Sequence, residues 1–121
     1  MKNPTVLVVD DEELLCDAIA MELEFSGIKT FKSTNGDDAW DIYQKHHEID
    51  LIITDVRMPH GDGVSLLDKI REKNKTIPVV VFITAHKDIT DEAAYDKGVN
   101  GILTKPFKPD QLVNEVKKFL S

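Results

Sequence analysis

The chain has 121 residues, 41% of them hydrophobic, and carries a formal net charge of −7. That length suits one domain spanning 1–121 with a single core, and the hydrophobic share is too high for a disordered chain. The negative balance argues against direct binding of nucleic acid.

No targeting segment is expected. The N-terminal stretch MKNPTVLVVDDEE has no long apolar signal core, and no run approaches the ~20 apolar residues of a membrane span. The single cysteine, Cys16, permits no intramolecular disulfide and no cysteine metal cluster; it reads as a small helix residue half in the core. A soluble, cytoplasmic protein without membrane contact is expected.

In chain order, short apolar runs alternate with amphipathic stretches. TVLVVD (5–10) is a β-branched run that ends in acid. Residues 12–26 have helical spacing, with Leu14, Ala18, Met21 and Phe25 as one apolar stripe and Leu15, Ile19 and Leu23 beside it. Ser26-Gly27 stops that helix. IKTFK (28–32) alternates like a strand. Asn35-Gly36 makes a turn, Asp37 opens a second helix, and Ala39, Trp40 and Tyr43 mark its apolar face. IDLIIT (49–54) is hydrophobic enough for a strand buried on both faces. A helix follows over about 63–73 with Leu66, Leu67 and Ile70 inward. IPVVVFIT (77–84) is the fourth strand, 90–97 a short polar helix, and GILTK (101–105) the fifth strand. The last helix starts near Pro109, where proline suits the first turn, and carries Leu112, Val116, Phe119 and Leu120.

Five βα units with short connections predict an α/β fold: a parallel sheet with helices on both faces. Sites in such sheets form beyond the carboxyl ends of the strands. Those ends carry Asp10-Asp11, Asp55, Thr84-Ala85 and Lys105-Pro106. If the strands are parallel, three carboxylates, a hydroxyl and an ammonium gather on one edge. Unit charges ~4 Å apart interact by about 4 kcal/mol at an effective dielectric of ~20, so the carboxylates would raise their own pKa values or recruit a cation. Hard oxygen ligands suit Mg2+. The combination describes phosphoryl transfer to a carboxylate, with Asp55 as nucleophile, Mg2+ and Lys105 offsetting charge, and Thr84 bonding a phosphoryl oxygen. Taken singly, Asp10-Asp11 also reads as a helix cap, Asp55 as a turn cap, Thr84 as a strand end and Lys105 as a surface charge. Their joint order is what is specific.

VLVVDDEE, LIITDVRMPHGDG, the Thr84-Ala85 pair and GILTKPF resemble, in order and spacing, the motifs of the receiver domain of two-component response regulators. The resemblance covers essentially the whole chain. It implies a doubly wound, flavodoxin-like sheet of order 2-1-3-4-5. It also implies that Asp55 is the phosphorylated residue, that Thr84 and Lys105 are the switch hydroxyl and the phosphate-contacting lysine, and that the peptide before Pro106 is cis. Mg2+ is implied as cofactor, held by Asp10, Asp11, Asp55 and the backbone carbonyl of Arg57, with Asp11 the more direct ligand of the acid pair. The implied phosphodonor is a phosphohistidine of a sensor histidine kinase or phosphotransfer protein. The implied output is a downstream effector or tethered domain, reached through residues 88–121, with a monomer or phosphorylation-dependent dimer. Such a protein is a switch that assists its own phosphorylation and dephosphorylation, not a metabolic enzyme.

Departures from the family pattern are local. Ile102 stands where the family often has an aromatic ring. Arg57 and His86 stand at the two positions that, in the family this chain resembles, border the phosphoryl group and tune its hydrolysis. VVVFI places five residues between Pro78 and Thr84 where four are usual, which predicts a shifted strand start. His46, His47 and His60 show no ligand spacing and read as solvated; Trp40 reads as a helix-to-core anchor. Two other chemistries fit less well. An FMN carrier needs a hydroxyl- and glycine-rich loop after the first strand, where this chain has DDEE. A haloacid-dehalogenase-like phosphatase needs an acid two residues after its nucleophile, where this chain has Arg57. An interaction module with a dead site would be expected to lose one of the acids, Thr84 or Lys105, and all are present.

Overall fold

A computed structural model describes residues 3–85 and 89–121. Its elements follow in strict alternation: β1 (Thr5–Val9), α1 (Glu13–Phe25), β2 (Lys29–Ser33), α2 (Gly36–Lys45), β3 (Leu51–Asp55), α3 (Gly63–Lys73), β4 (Val79–Thr84), α4 (Asp91–Asp96), β5 (Gly101–Thr104) and α5 (Pro109–Leu120). The five strands form one sheet in the order β2-β1-β3-β4-β5, and every pairing is parallel. The chain thus steps outward from β1 to β2, then crosses back to β3. That reversal opens a crevice at the carboxyl ends of β1 and β3.

Strand alternation divides the core in two. Val6, Val8, Leu51, Ile53, Val81 and Ile83 face α1 and α5, where they meet Ile19, Leu23, Leu112 and Val116. Leu7, Val9, Ile52, Val80 and Phe82 face the other way, against Ala39, Leu66, Leu67, Ile70 and Ala94. β1 and β3 are buried at every position, as near-continuous apolar runs demand. Burying one side chain of the size of Phe82 stabilises by about 1.5–3 kcal/mol.

Local signals set the helix starts. Asn35 accepts a hydrogen bond from the Asp38 amide, Asp62 from Ser65 and Thr90 from Ala93. The strand predicted over 77–84 begins at Val79, just past Pro78, and still ends on Thr84. The peptides before Pro78 and Pro106 are both cis.

Three sequence expectations need correction. The stripe Leu14, Met21 and Phe25 is not core: these residues are 86%, 68% and 90% exposed. Helix α1 buries Cys16, Ile19, Ala20 and Leu23, so the expected neighbouring row keeps Ile19 and Leu23 and is rotated toward Cys16 and Ala20. Both rows have helical period, and only the direction in which the helix lies on the sheet selects between them. Cys16 is accordingly buried outright, and its thiol lies 3.7 Å from the carbonyls of Val8 and Ser33. His46 is half-buried and stacks on Phe31 at 4.3 Å, with Nδ1 3.4 Å from Glu48; His47 and His60 are exposed. Trp40 packs against the α2–α3 side of the core, with the ammonium groups of Lys69 and Lys73 over its ring.

Candidate functional site

β1 delivers Asp10 to the crevice. The Asp10 amide donates to the Ser33 carbonyl, extending the β1–β2 ladder by one step and fixing the residue at the sheet rim. Its Oδ1 accepts the Glu12 amide at 2.8 Å, so the carboxylate also braces the turn into α1. Asp10 is fully buried, and its Oδ2 has no hydrogen-bond partner. A capping role uses one oxygen and leaves this second one unexplained.

β3 delivers Asp55, 6% exposed, beside Ile83 of β4. The backbone beyond Asp55 is held twice, by the Val56 amide on the Ile83 carbonyl and by the Gly63 amide on the Val56 carbonyl. Gly63 is required here, because a methyl at its α-carbon would overlap the Asp55 carbonyl oxygen. The first turn of α3 thus packs directly on the backbone of Asp55.

β5 delivers Lys105. Its amide donates to the Thr84 carbonyl at 2.9 Å, and its ammonium reaches back over the crevice. Nζ lies 2.9 Å from Asp55 Oδ2, 2.9 Å from Glu12 Oε1 and 3.6 Å from Asp10 Oδ2. Thr84 ends β4 with its hydroxyl donating to the Ala85 carbonyl at 2.6 Å. Asp11 and Arg57 are exposed and line a shallow cleft with Met58 and Asp62. His86 lies outside the described residues.

The electrostatics follow from this crowding. Burial pushes the Asp10 carboxyl up to about 6, against the lowering effect of the Glu12 amide and Lys105. Burial likewise raises Asp55, with Lys105 opposing and Asp11 adding to the rise. For Lys105, burial alone would lower the pKa; its hydrogen bonds to Glu12 and Asp55 outweigh that and hold it above the ordinary lysine range. The ammonium is therefore charged at neutral pH.

Carboxylate oxygens of Asp10, Asp11 and Asp55 lie within 4.8 Å of one another. Three acids against one ammonium leave a local negative excess, and Asp10 Oδ2, which accepts no hydrogen bond and meets Lys105 only at 3.6 Å, offers a ligand atom. An oxygen-only donor set of this kind fits a hard divalent cation that keeps several waters.

Comparison with known proteins matches the chain to the response regulator receiver domain over residues 6–117. The chain belongs to that family. Response regulator Rre1 of Synechocystis is 38% identical over 97% of this chain, and the match covers 52% of that protein. The Bacillus subtilis alkaline phosphatase synthesis transcriptional regulatory protein PhoP is 28% identical over 98% of the chain and is covered over 49% of its own length. The chain therefore spans about half the length of these curated relatives. Among solved structures, the receiver domain of the Francisella response regulator 1452 aligns over 97% of this chain and 96% of its own, with a TM-score of 0.84 at 32% identity.

As a response regulator receiver domain of two-component systems, the chain has the expected sheet order. The crevice brings Asp10, Asp11, Asp55 and Lys105 together as the sequence pattern predicts. Thr84 and Arg57 border this group. The sequence reading missed Glu12, which binds Lys105 across 93 residues. An acid directly after Asp10-Asp11 was its only signal, and nothing in the spacing points it toward β5. No helix among the described residues is long and apolar enough to cross a membrane. Ile102 is half-buried against the Phe82 side of the core.

Proposed function

We propose that this receiver domain accepts a phosphoryl group on Asp55 from a phosphohistidine of a sensor histidine kinase or phosphotransfer protein, with Mg2+ as cofactor. The observation that carries the reading is the Asp55 carboxylate, buried at a strand end, hydrogen-bonded to Lys105 and grouped with Asp10 and Asp11.

Asp55 supplies the nucleophile. A carboxylate oxygen attacks phosphorus, the P–N bond to the donor imidazole breaks with its electron pair left on nitrogen, and an acyl phosphate forms. The rigid mount of β3, packed under Gly63, holds that carboxylate in place and saves the entropy of orienting it. Lys105 follows the charge from Asp55 onto a phosphoryl oxygen. Thr84 gives up the Ala85 carbonyl and donates its hydroxyl to a second oxygen. Asp10, Asp11, Asp55 and the Arg57 carbonyl are the residues that would hold Mg2+. When bound, the cation offsets negative charge between carboxylate and phosphoryl oxygens.

Movement of Thr84 at the end of β4 shifts a two-state surface formed by α4, β5 and α5. With Ile102 on β5, this shift proceeds without the inward swing of an aromatic ring. The surface serves a downstream protein effector or a tethered output domain. The protein acts as a switch that assists its own phosphorylation and dephosphorylation, in the cytoplasm.

Intact-protein mass after incubation with Mg2+ and acetyl phosphate tests the reading. A gain of one phosphoryl group in the wild type, absent in Asp55→Asn and absent without Mg2+, is expected. If neither phosphorylation nor binding of beryllofluoride with Mg2+ occurs, the reading is wrong.

A further inference from the structure

Lys105 has two hydrogen-bonded carboxylates, and only one of them belongs to the group that would hold the cation. Asp55 Oδ2 and Glu12 Oε1 each lie 2.9 Å from Nζ. The Glu12 side chain is 62% exposed, while Lys105 is 19% exposed and Asp55 8%. The glutamate thus leans over the crevice from its solvent side. Its backbone is fixed at both ends: the amide donates to Asp10 Oδ1, and the carbonyl accepts the Cys16 amide at 2.9 Å. Glu12 is the residue that precedes α1, yet its side chain caps no helix amide. The carboxylate is committed to Lys105.

Two cations compete for Asp55. An ammonium in contact with Asp55 Oδ2 repels a dication on the same carboxylate. Lys105 must withdraw as the metal loads, and Asp10, its next neighbour at 3.6 Å, belongs to the same metal-binding group. Glu12 is the acceptor that remains.

We propose that Glu12 is a positioning residue that holds the Lys105 ammonium aside while Mg2+ binds, and keeps it within reach of the phosphoryl group that arrives later. This rests on the metal reading above and adds to it a residue outside the acid pair. Glu12 acts through Lys105 and does not touch the cation.

Calorimetric titration with Mg2+ of the wild type, Glu12→Gln, Lys105→Met and the double variant tests the proposal as a double-mutant cycle. Circular dichroism checks that each is folded, and Lys105→Gln replaces Lys105→Met if the latter is not. Glu12→Gln is expected to weaken Mg2+ binding roughly five- to tenfold when Lys105 is present, and about twofold or less when it is absent. An equal loss in both backgrounds would mean that Glu12 contributes only its charge, and no loss in either would mean that it contributes nothing; each overturns the proposal alone. A wild type that binds no Mg2+ overturns the metal reading and the proposal with it.

Discussion

The Lys105 ammonium sits 2.9 Å from Oδ2 of Asp55, a residue 50 positions earlier in the chain, and both side chains are largely withdrawn from water. The pair ties the last strand of the sheet to its middle strand. It also holds the site's positive charge against the proposed phosphoacceptor.

Breaking that pair leaves a buried carboxylate uncompensated. Lys105→Met is expected to lower the stability of the metal-free protein by about 2–4 kcal/mol at pH 7.5. Urea unfolding checks this. Added Mg2+ is expected to recover more stability in the variant than in the wild type, because no ammonium competes for Asp55.

Asp10 makes stability depend on pH in the opposite sense to an ordinary salt-bridged acid. Its folded pKa of about 6 stands above the usual 3.8, so between these values the folded protein holds a proton that the unfolded chain has released. Stability from this group falls as pH rises through that window and is flat above it. Asp10→Asn mimics the protonated form and keeps an oxygen for the Glu12 amide. It is expected to stabilise the metal-free protein at pH 7.5 by on the order of 2–3 kcal/mol, and by much less at pH 4. Thermal unfolding in chelator across that range, wild type against variant, isolates the contribution.

Gly63→Ala forces a methyl into the Asp55 carbonyl oxygen. Overpacking of this kind costs about 1–3 kcal/mol. The displacement falls on the backbone of Asp55, the proposed nucleophile, so phosphorylation by acetyl phosphate is expected to slow by more than tenfold even where the variant is fully folded. Unfolding curves and initial rates measured together separate the two effects.

Arg71 joins α3 to the turn between α4 and β5. Its guanidinium and Nε donate to the carbonyls of Gly98, Pro78 and Asn74 and to Asn100 Oδ1, at 2.9–3.4 Å. Arg71→Met removes these donors from the part-buried Gly98 and Pro78 carbonyls, while Asn100 Oδ1 keeps the Val80 amide. A loss of about 2–4 kcal/mol is expected. Hydrogen exchange should rise at the amides of α4 and the following turn, on which the proposed switching surface depends.

The fold was legible because alternating apolar runs and amphipathic stretches leave one economical arrangement, and the acids at the strand ends marked the crevice. Periodicity did not say which side of α1 faces the sheet. Leu14, Met21 and Phe25 are as regularly spaced as Cys16, Ile19 and Leu23, yet only the second row is buried. The same limit hid Glu12 and Arg71. Each acts through partners far away in sequence, and their spacing along the chain carries no trace of the contact. Cys16 was placed in the α1 helix by its neighbours, but its full burial, which pushes the thiol up to about 11 and makes it inert, depends on how that helix docks.

Asp55 is the proposed phosphoacceptor. Borohydride reduces an aspartyl phosphate to homoserine, so the protein incubated with Mg2+ and a phosphodonor can be reduced, digested and mapped by mass. Homoserine at position 55, in wild-type protein and only with Mg2+ and donor present, is the predicted result. Homoserine at Asp10, Asp11 or any other acid, with Asp55 unmodified, would rule out Asp55 as the phosphoacceptor.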